Sequence, residues 1–312
     1  MQLISEVQAH FKQTIPLSTL FHRTTVAGFA EVLEQAAEEE AWTPLIAMRP
    51  KGTQTPIFCV HGSDGSALAF TNLAQAFDAD RPFYALQARG IDGESAPQQS
   101  IAAMATAYIE AIQQLQPTGP YYLGGYSFGG LVAYEMVQQL QQQGHAVALL
   151  ALFDSQAPHR YQPALDPPSD SELLRLLHTT LKPWLGEEGA KQQSLSWHGS
   201  VDEQLDAVAM HLTQMAGIAG GWGRDQLQGI LAVMRATARM HYAPQQPLSV
   251  RTVLFRAHDV ADGGRGSDLG WNAYLAQPIE RILVPGDHQT MLAVPHVQTL
   301  AAKLGAVLKS QQ

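Results

Sequence analysis

With 312 residues, 46% of them hydrophobic, the chain can bury a full-sized core as one large domain or two smaller ones. A formal net charge of -9 argues against nucleic acid and anionic membrane as partners, and no apolar run approaches the roughly 18 residues of a spanning helix. The single cysteine, Cys59, excludes an internal disulfide and fits a reducing, cytoplasmic compartment. It lies in the run Ile57-Phe58-Cys59-Val60, where it reads as a core thiol. There is no zinc-type Cys/His spacing and no Gly-x-x-x-x-Gly-Lys-Ser/Thr phosphate loop, so no metal and no nucleotide is expected.

Residues 1–35 read as two helices. Leu3, Ile4, Val7 and Phe11 fall on one face at helical spacing, and a second helix runs from Thr25 through Val26, Phe29, Ala30 and Leu33. Two short helices cannot bury enough surface to fold alone. With Ile15-Pro16-Leu17 and Leu20-Phe21 between them, the segment resembles the C-terminal part of an acyl or peptidyl carrier domain. That resemblance implies a pantetheine-bearing serine upstream of Met1, so the chain reads as cut from a longer protein. Residues 36–44, with the acidic run Glu38-Glu39-Glu40, read as a linker.

From Leu45 to the end (45–312) strands and helices alternate. Strands are expected at 45–49, 56–61, 82–87, 120–126, 147–154, 250–257 and 280–285. Helices are expected near 67–78, 100–116, 128–143 and 295–309. This order implies an α/β fold, a mostly parallel sheet flanked by helices. The alternation breaks at about 160–245, where three helical patterns stand in place of strands. Two of them open on capping boxes, Ser169-x-x-Glu172 and Ser200-x-x-Glu203. The third runs from about Asp225 to Tyr242. An inserted helical lid over a site at the sheet edge has this outline.

The chemistry centres on Leu123-Gly124-Gly125-Tyr126-Ser127-Phe128-Gly129-Gly130, a strand, Gly-x-Ser-x-Gly, then a helix. That is the context of a nucleophile elbow, which holds a serine hydroxyl at the carboxyl end of a parallel strand. Two rivals stand beside it: a chance glycine-rich turn, and a phosphopantetheine attachment site, since Leu-Gly-Gly-x-Ser also suits a carrier. A serine nucleophile needs a histidine base oriented by a carboxylate, in the chain order Ser, Asp or Glu, His. His288 follows a strand end in Leu283-Val284-Pro285-Gly286-Asp287-His288 and is the expected base. Asp154 closes the apolar strand after the elbow helix and is favoured as the carboxylate over Asp259 and Asp262, which sit in a glycine-rich loop. Asp287 reads as structural. The oxyanion needs two backbone donors. Phe128, after the nucleophile, supplies one, and Ser63, in the loop His61-Gly62-Ser63-Asp64-Gly65, is the candidate for the other. His61 reads as a loop-stabilising residue.

Taken together, the pattern resembles the integrated thioesterase domain that ends non-ribosomal peptide and polyketide synthases, within the α/β-hydrolase superfamily. The resemblance rests on Phe58-Cys59-Val60-His61-Gly62, Tyr84-Ala85-Leu86-Gln87-Ala88-Arg89-Gly90, Gly125-Tyr126-Ser127-Phe128-Gly129-Gly130, Leu152-Phe153-Asp154-Ser155 and Val284-Pro285-Gly286-Asp287-His288. It implies an α/β-hydrolase fold and supports Asp154 as the triad aspartate. It also implies a chain-releasing thioesterase with no bound cofactor, whose substrate arrives on the phosphopantetheine arm of an upstream carrier. Release would pass through an acyl-Ser127 ester to hydrolysis or ring closure. Trp222, Met210, Met215, Met234 and Met240 of the lid are expected to shape the acyl chamber. A stand-alone editing thioesterase or a general esterase is the alternative within enzymes. A carrier-type module with Ser127 as its pantetheine site is the alternative outside them.

Overall fold

The structure, a computed structural model, describes residues 42–77, 80–161, 166–181, 195, 197–215, 224–244, 246–259 and 267–310. The carrier-like segment expected at 1–35 and most of the expected linker lie outside the described residues.

Seven strands form one sheet: β1 (Leu45–Arg49), β2 (Ile57–Val60), β3 (Phe83–Leu86), β4 (Tyr121–Tyr126), β5 (Val147–Phe153), β6 (Thr252–Ala257) and β7 (Glu280–Val284). Their order across the sheet is β1-β3-β2-β4-β5-β6-β7. β1 runs antiparallel to β3, and every other pairing is parallel. Each strand lies within two residues of its expected bounds, because each is an apolar run closed by turn residues.

The strands are buried on both sides and sort their side chains with a period of two. Phe58, Val60, Leu123, Leu150, Leu152 and Leu254 pack to one side, with α2 (Ile101–Leu115) and α3 (Gly129–Gln142). Ile57, Cys59, Tyr122, Tyr126, Phe153 and Phe255 pack to the other, with α1 (Thr71–Ala76) and α7 (His296–Lys309). Cys59 is fully buried, and burial pushes its thiol well up, which suits a core residue.

Among the described residues, the insertion holds α4 (Asp170–Leu181), α5 (Val201–Met215) and α6 (Arg224–Arg239). Both expected capping boxes close reciprocally. The Ser169 N–H donates to Glu172 Oε2 at 2.7 Å while the Glu172 N–H donates to Ser169 Oγ at 3.4 Å. Ser200 and Glu203 repeat the pattern at 2.8 and 3.3 Å. Leu173, Leu174, Leu177, Leu205, Val208, Leu212, Leu227, Ile230 and Met234 form a small core of their own. α6 stops three residues before the expected Tyr242. Met240 turns inward beneath the elbow helix and is 3% exposed, ahead of Tyr242-Ala243-Pro244, whose proline disfavours helix before it.

The elbow glycines are explained by close approach. A Cβ at Gly125 would collide with the Gly129 carbonyl, and one at Gly129 with the carbonyls of Val60 and His61. The strained backbone lies at Ser127 itself, with φ +53°. Gly129→Ala should therefore destabilise the domain by about 3 kcal/mol, because the obstructing atoms are backbone and cannot swing aside. Urea denaturation checks this, and a midpoint equal to wild type would contradict it.

Candidate active site

β4, β5, β6 and β7 run parallel and end on one edge, so the residues that follow them meet there. Ser127 follows β4, Asp154 follows β5 and His288 lies four residues past β7. His288 Nε2 stands 3.0 Å from Ser127 Oγ, and His288 Nδ1 stands 2.7 Å from Asp154 Oδ2. Burial pushes the Asp154 carboxyl up. The hydrogen bonds and charges of His288 and Arg256 more than offset that push, so its pKa lies below the ordinary carboxylate value. An ionised carboxylate can only accept, so Nδ1 carries the proton and Nε2 accepts from the serine. Asp154 is 4% exposed and takes φ +46°, a conformation Asp tolerates better than most side chains. Behind it, the Trp271 indole N–H donates to the Ser155 carbonyl at 2.7 Å and fixes the turn.

The competing carboxylates have other work. The Asp259 Oδ2 accepts the Gly286 N–H at 2.9 Å, and its own N–H donates to the Gly286 carbonyl at 2.9 Å. It latches the loop that carries His288. Asp287 Oδ1 accepts the N–H groups of Gln289 and Thr290 at 3.0 and 2.8 Å and closes the turn. Asp262 lies outside the described residues.

The loop after β2 leans over the elbow. His61 is fully buried, with Nε2 2.7 Å from the Tyr108 hydroxyl and its ring stacked on Phe128. Burial pulls its imidazole down to about 4 against the raising effect of the Gly62 carbonyl, so it is a neutral structural group. Ser63 sits at the crown of this loop, where the Thr237 hydroxyl of α6 donates to its carbonyl at 3.0 Å. Phe128 stands at the amino end of α3, where backbone N–H groups are unsatisfied within the helix.

Two residues with a hand in this geometry carried no expectation from the sequence. Tyr126 stacks on the His288 ring, centroids 5.2 Å apart, and its hydroxyl donates to the His288 carbonyl at 2.6 Å. Arg256 Nη1 donates to Asp154 Oδ1 at 2.5 Å. The signal for Arg256 was a lone charge in the apolar strand Thr252-Val253-Leu254-Phe255-Arg256-Ala257. For Tyr126 it was an aromatic in the variable position before the serine.

Met210 is 60% exposed, because α5 turns Leu205, Val208 and Leu212 inward and leaves Met210 on the outer face. Met234 is buried among α4, α5 and α6, and Met240 in the core beneath α3. Met215 ends α5, and Trp222 lies outside the described residues.

A family model described as Thioesterase domain matches residues 55–308, from β2 to the end of α7. The chain belongs to the thioesterase domain family. This thioesterase is 31% identical over 318 residues to the chondramide synthase cmdD of Chondromyces crocatus, a match that covers 97% of this chain and 8% of that relative. It therefore spans less than a tenth of that relative's length. Its fold matches the crystal structure of a four-domain nonribosomal peptide synthetase, holo-AB3403, with TM-score 0.74 and 24% identity. That match covers 98% of this chain and 23% of the other. It also matches the Vlm2 thioesterase domain, with TM-score 0.65 and 20% identity over 84% of this chain and 96% of that one. Among the described residues, no helix of the thioesterase is long and apolar enough to cross a membrane.

Asp64 is a buried acid in the loop after β2. Burial pushes it up to about 6, against the lowering hydrogen bond from the Ser66 N–H. A folded pKa above the unfolded value of about 3.9 costs stability as pH rises from about 4 through about 6, and the cost is complete above that. Asp64→Asn should stabilise the thioesterase by up to about 3 kcal/mol at pH 7.5 and by nothing below pH 4. Chemical denaturation at the two pH values checks this; an equal difference at both would contradict it.

Proposed function

We propose that this thioesterase releases an acyl or peptidyl chain from the pantetheine thioester of a carrier domain, through an acyl-Ser127 ester. The observation that carries the reading is the unbroken line Ser127, His288, Asp154 at 3.0 and 2.7 Å, in a chain of the thioesterase family. Ser127 Oγ attacks the thioester carbonyl while His288 Nε2 takes its proton, and Asp154 holds the imidazole in the tautomer that can accept it. The carbonyl oxygen becomes an anion facing the N–H groups of Phe128 and Ser63, each worth roughly 3 kcal/mol of transition-state stabilisation. The C–S bond breaks, and the pantetheine thiolate leaves with the proton from His288. Water then attacks the ester, giving an acid and restoring Ser127. A hydroxyl or amine of the bound chain can take water's place and give a ring.

Similarity to a synthase along 97% of the chain supports delivery by an upstream carrier of the same polypeptide, and so a cytoplasmic setting. The carrier-like segment at 1–35 would then be the end of that carrier, with its pantetheine serine upstream. The line Ser127, His288, Asp154 also favours a nucleophile over a pantetheine attachment point at Ser127, since attachment needs no base.

A fluorophosphonate probe should label Ser127, and Ser127→Ala should abolish both labelling and release of an acyl-pantetheine substrate; labelling that persisted in this variant would sink the assignment. Asp154→Asn should lower kcat by about 10⁴-fold, as for other serine hydrolases whose histidine loses its orienting anion. Asp259→Asn should keep activity within about tenfold, since its loop hydrogen bond can be retained. The reverse order in steady-state assays would move the carboxylate to the later loop.

A further inference from the structure

We propose that Arg256 is a positioning residue of this relay, occupying Asp154 Oδ1 so that the anion turns only Oδ2 to His288, and limiting with its positive charge how tightly His288 keeps the serine proton. The proposal rests on the triad reading above.

The geometry follows from register. Phe153 of β5 pairs with Phe255 of β6, so the next residues, Asp154 and Arg256, are neighbours on one face. Leu152 and Leu254 precede them on that face inside the core. A charge would be costly there without a partner. Arg256 and Asp154 are 8% and 4% exposed, and Nη1 meets Oδ1 at 2.5 Å. The Ala257 N–H donates to the same oxygen at 3.1 Å. Both carboxylate oxygens are thereby assigned, one to the β6 donors and one to His288.

The arrangement alters the proton transfer. In a buried site, a carboxylate facing only an imidazolium would attract it strongly and hold the transferred proton. Both half-reactions need that proton given up, first to the departing thiolate and then to Ser127 as the ester breaks down. A permanent guanidinium on the far oxygen spends part of the anion's charge while keeping it ionised. Among the described residues, other charged or titratable groups approach the pair from three sides. Asp287 adjoins His288 on the loop after β7 and is tied into its own turn. Tyr126 comes from β4, and its hydroxyl is committed to the His288 carbonyl. Asp64 acts on Tyr126 from the loop after β2. Arg256 is the permanent cation bonded to Asp154.

The test measures the rate at which a fluorophosphonate labels Ser127 across pH 5–9 in the full chain, for wild type, Arg256→Gln and Arg256→Lys. Gln keeps a hydrogen-bond donor without the charge, and Lys keeps the charge without the fork. Loss of the charge should move the acidic limb of the rate profile up by about one pH unit, making labelling about tenfold slower on that limb. Lysine should return the limb to its wild-type position. The downfield proton resonance of the His288 Nδ1–H, read in the same samples, should shift in the glutamine variant and return with lysine. Three superimposable limbs would overturn the proposal, as would an equal loss at every pH that tracks the folded fraction by circular dichroism. Either result leaves the triad standing. Labelling that survives Ser127→Ala would instead remove the triad itself.

Discussion

One buried carboxylate holds the carboxyl edge of the sheet together. Asp154 leaves the end of β5 and is bonded by β6 through Arg256 and Ala257, and by the loop after β7 through His288. It can do so because the three strands run parallel and in register, so their ends arrive side by side. The anion is expensive to bury alone and is stabilised here by three donors, two on Oδ1 and one on Oδ2. Held on both oxygens, it is restrained from rotating, and this steadies the histidine ring and hence the line to Ser127.

The elbow obeys a second constraint, lack of room. β4 is flanked by β2 and β5, and α3 begins so close to it that the carbonyls of Val60 and His61 occupy the space where Gly129 would carry a side chain. The positive φ falls on Ser127, the one residue whose side chain must be presented outward. Stacking of Tyr126 on His288 presses the ring from the β4 side, so the strand that ends at Ser127 also steadies the imidazole facing it.

Much of this was legible in the chain. Apolar runs of fixed length bounded by turns specify the strands, and the two capping boxes specify helix starts because they satisfy backbone donors locally. Ser127, Asp154 and His288 could be read from their places at strand ends, since topology alone brings such ends together. Arg256 and Tyr126 were less legible, because their roles depend on which strands are neighbours and on which side each residue faces. The placement of Met210, Met234 and Met240 was less legible for a related reason. Methionine fills gaps in helix packing as readily as it lines a chamber, and only the inward set Leu205, Val208 and Leu212 fixes which way Met210 points.

The hydroxyl of Thr237 is the bond with the widest reach outside the triad. It joins the last turn of α6 to the Ser63 carbonyl, while Val233 packs against Gly65 and Gly229 against the loop at Gly90–Gly93. α6 is thus part of the frame of the loop after β2, although in sequence it belongs to the insertion. An exchange of insertions between relatives that keeps this loop braced would end before Arg224, not after Arg239. A graft that replaced α4, α5 and α6 together would exchange the brace of that loop as well.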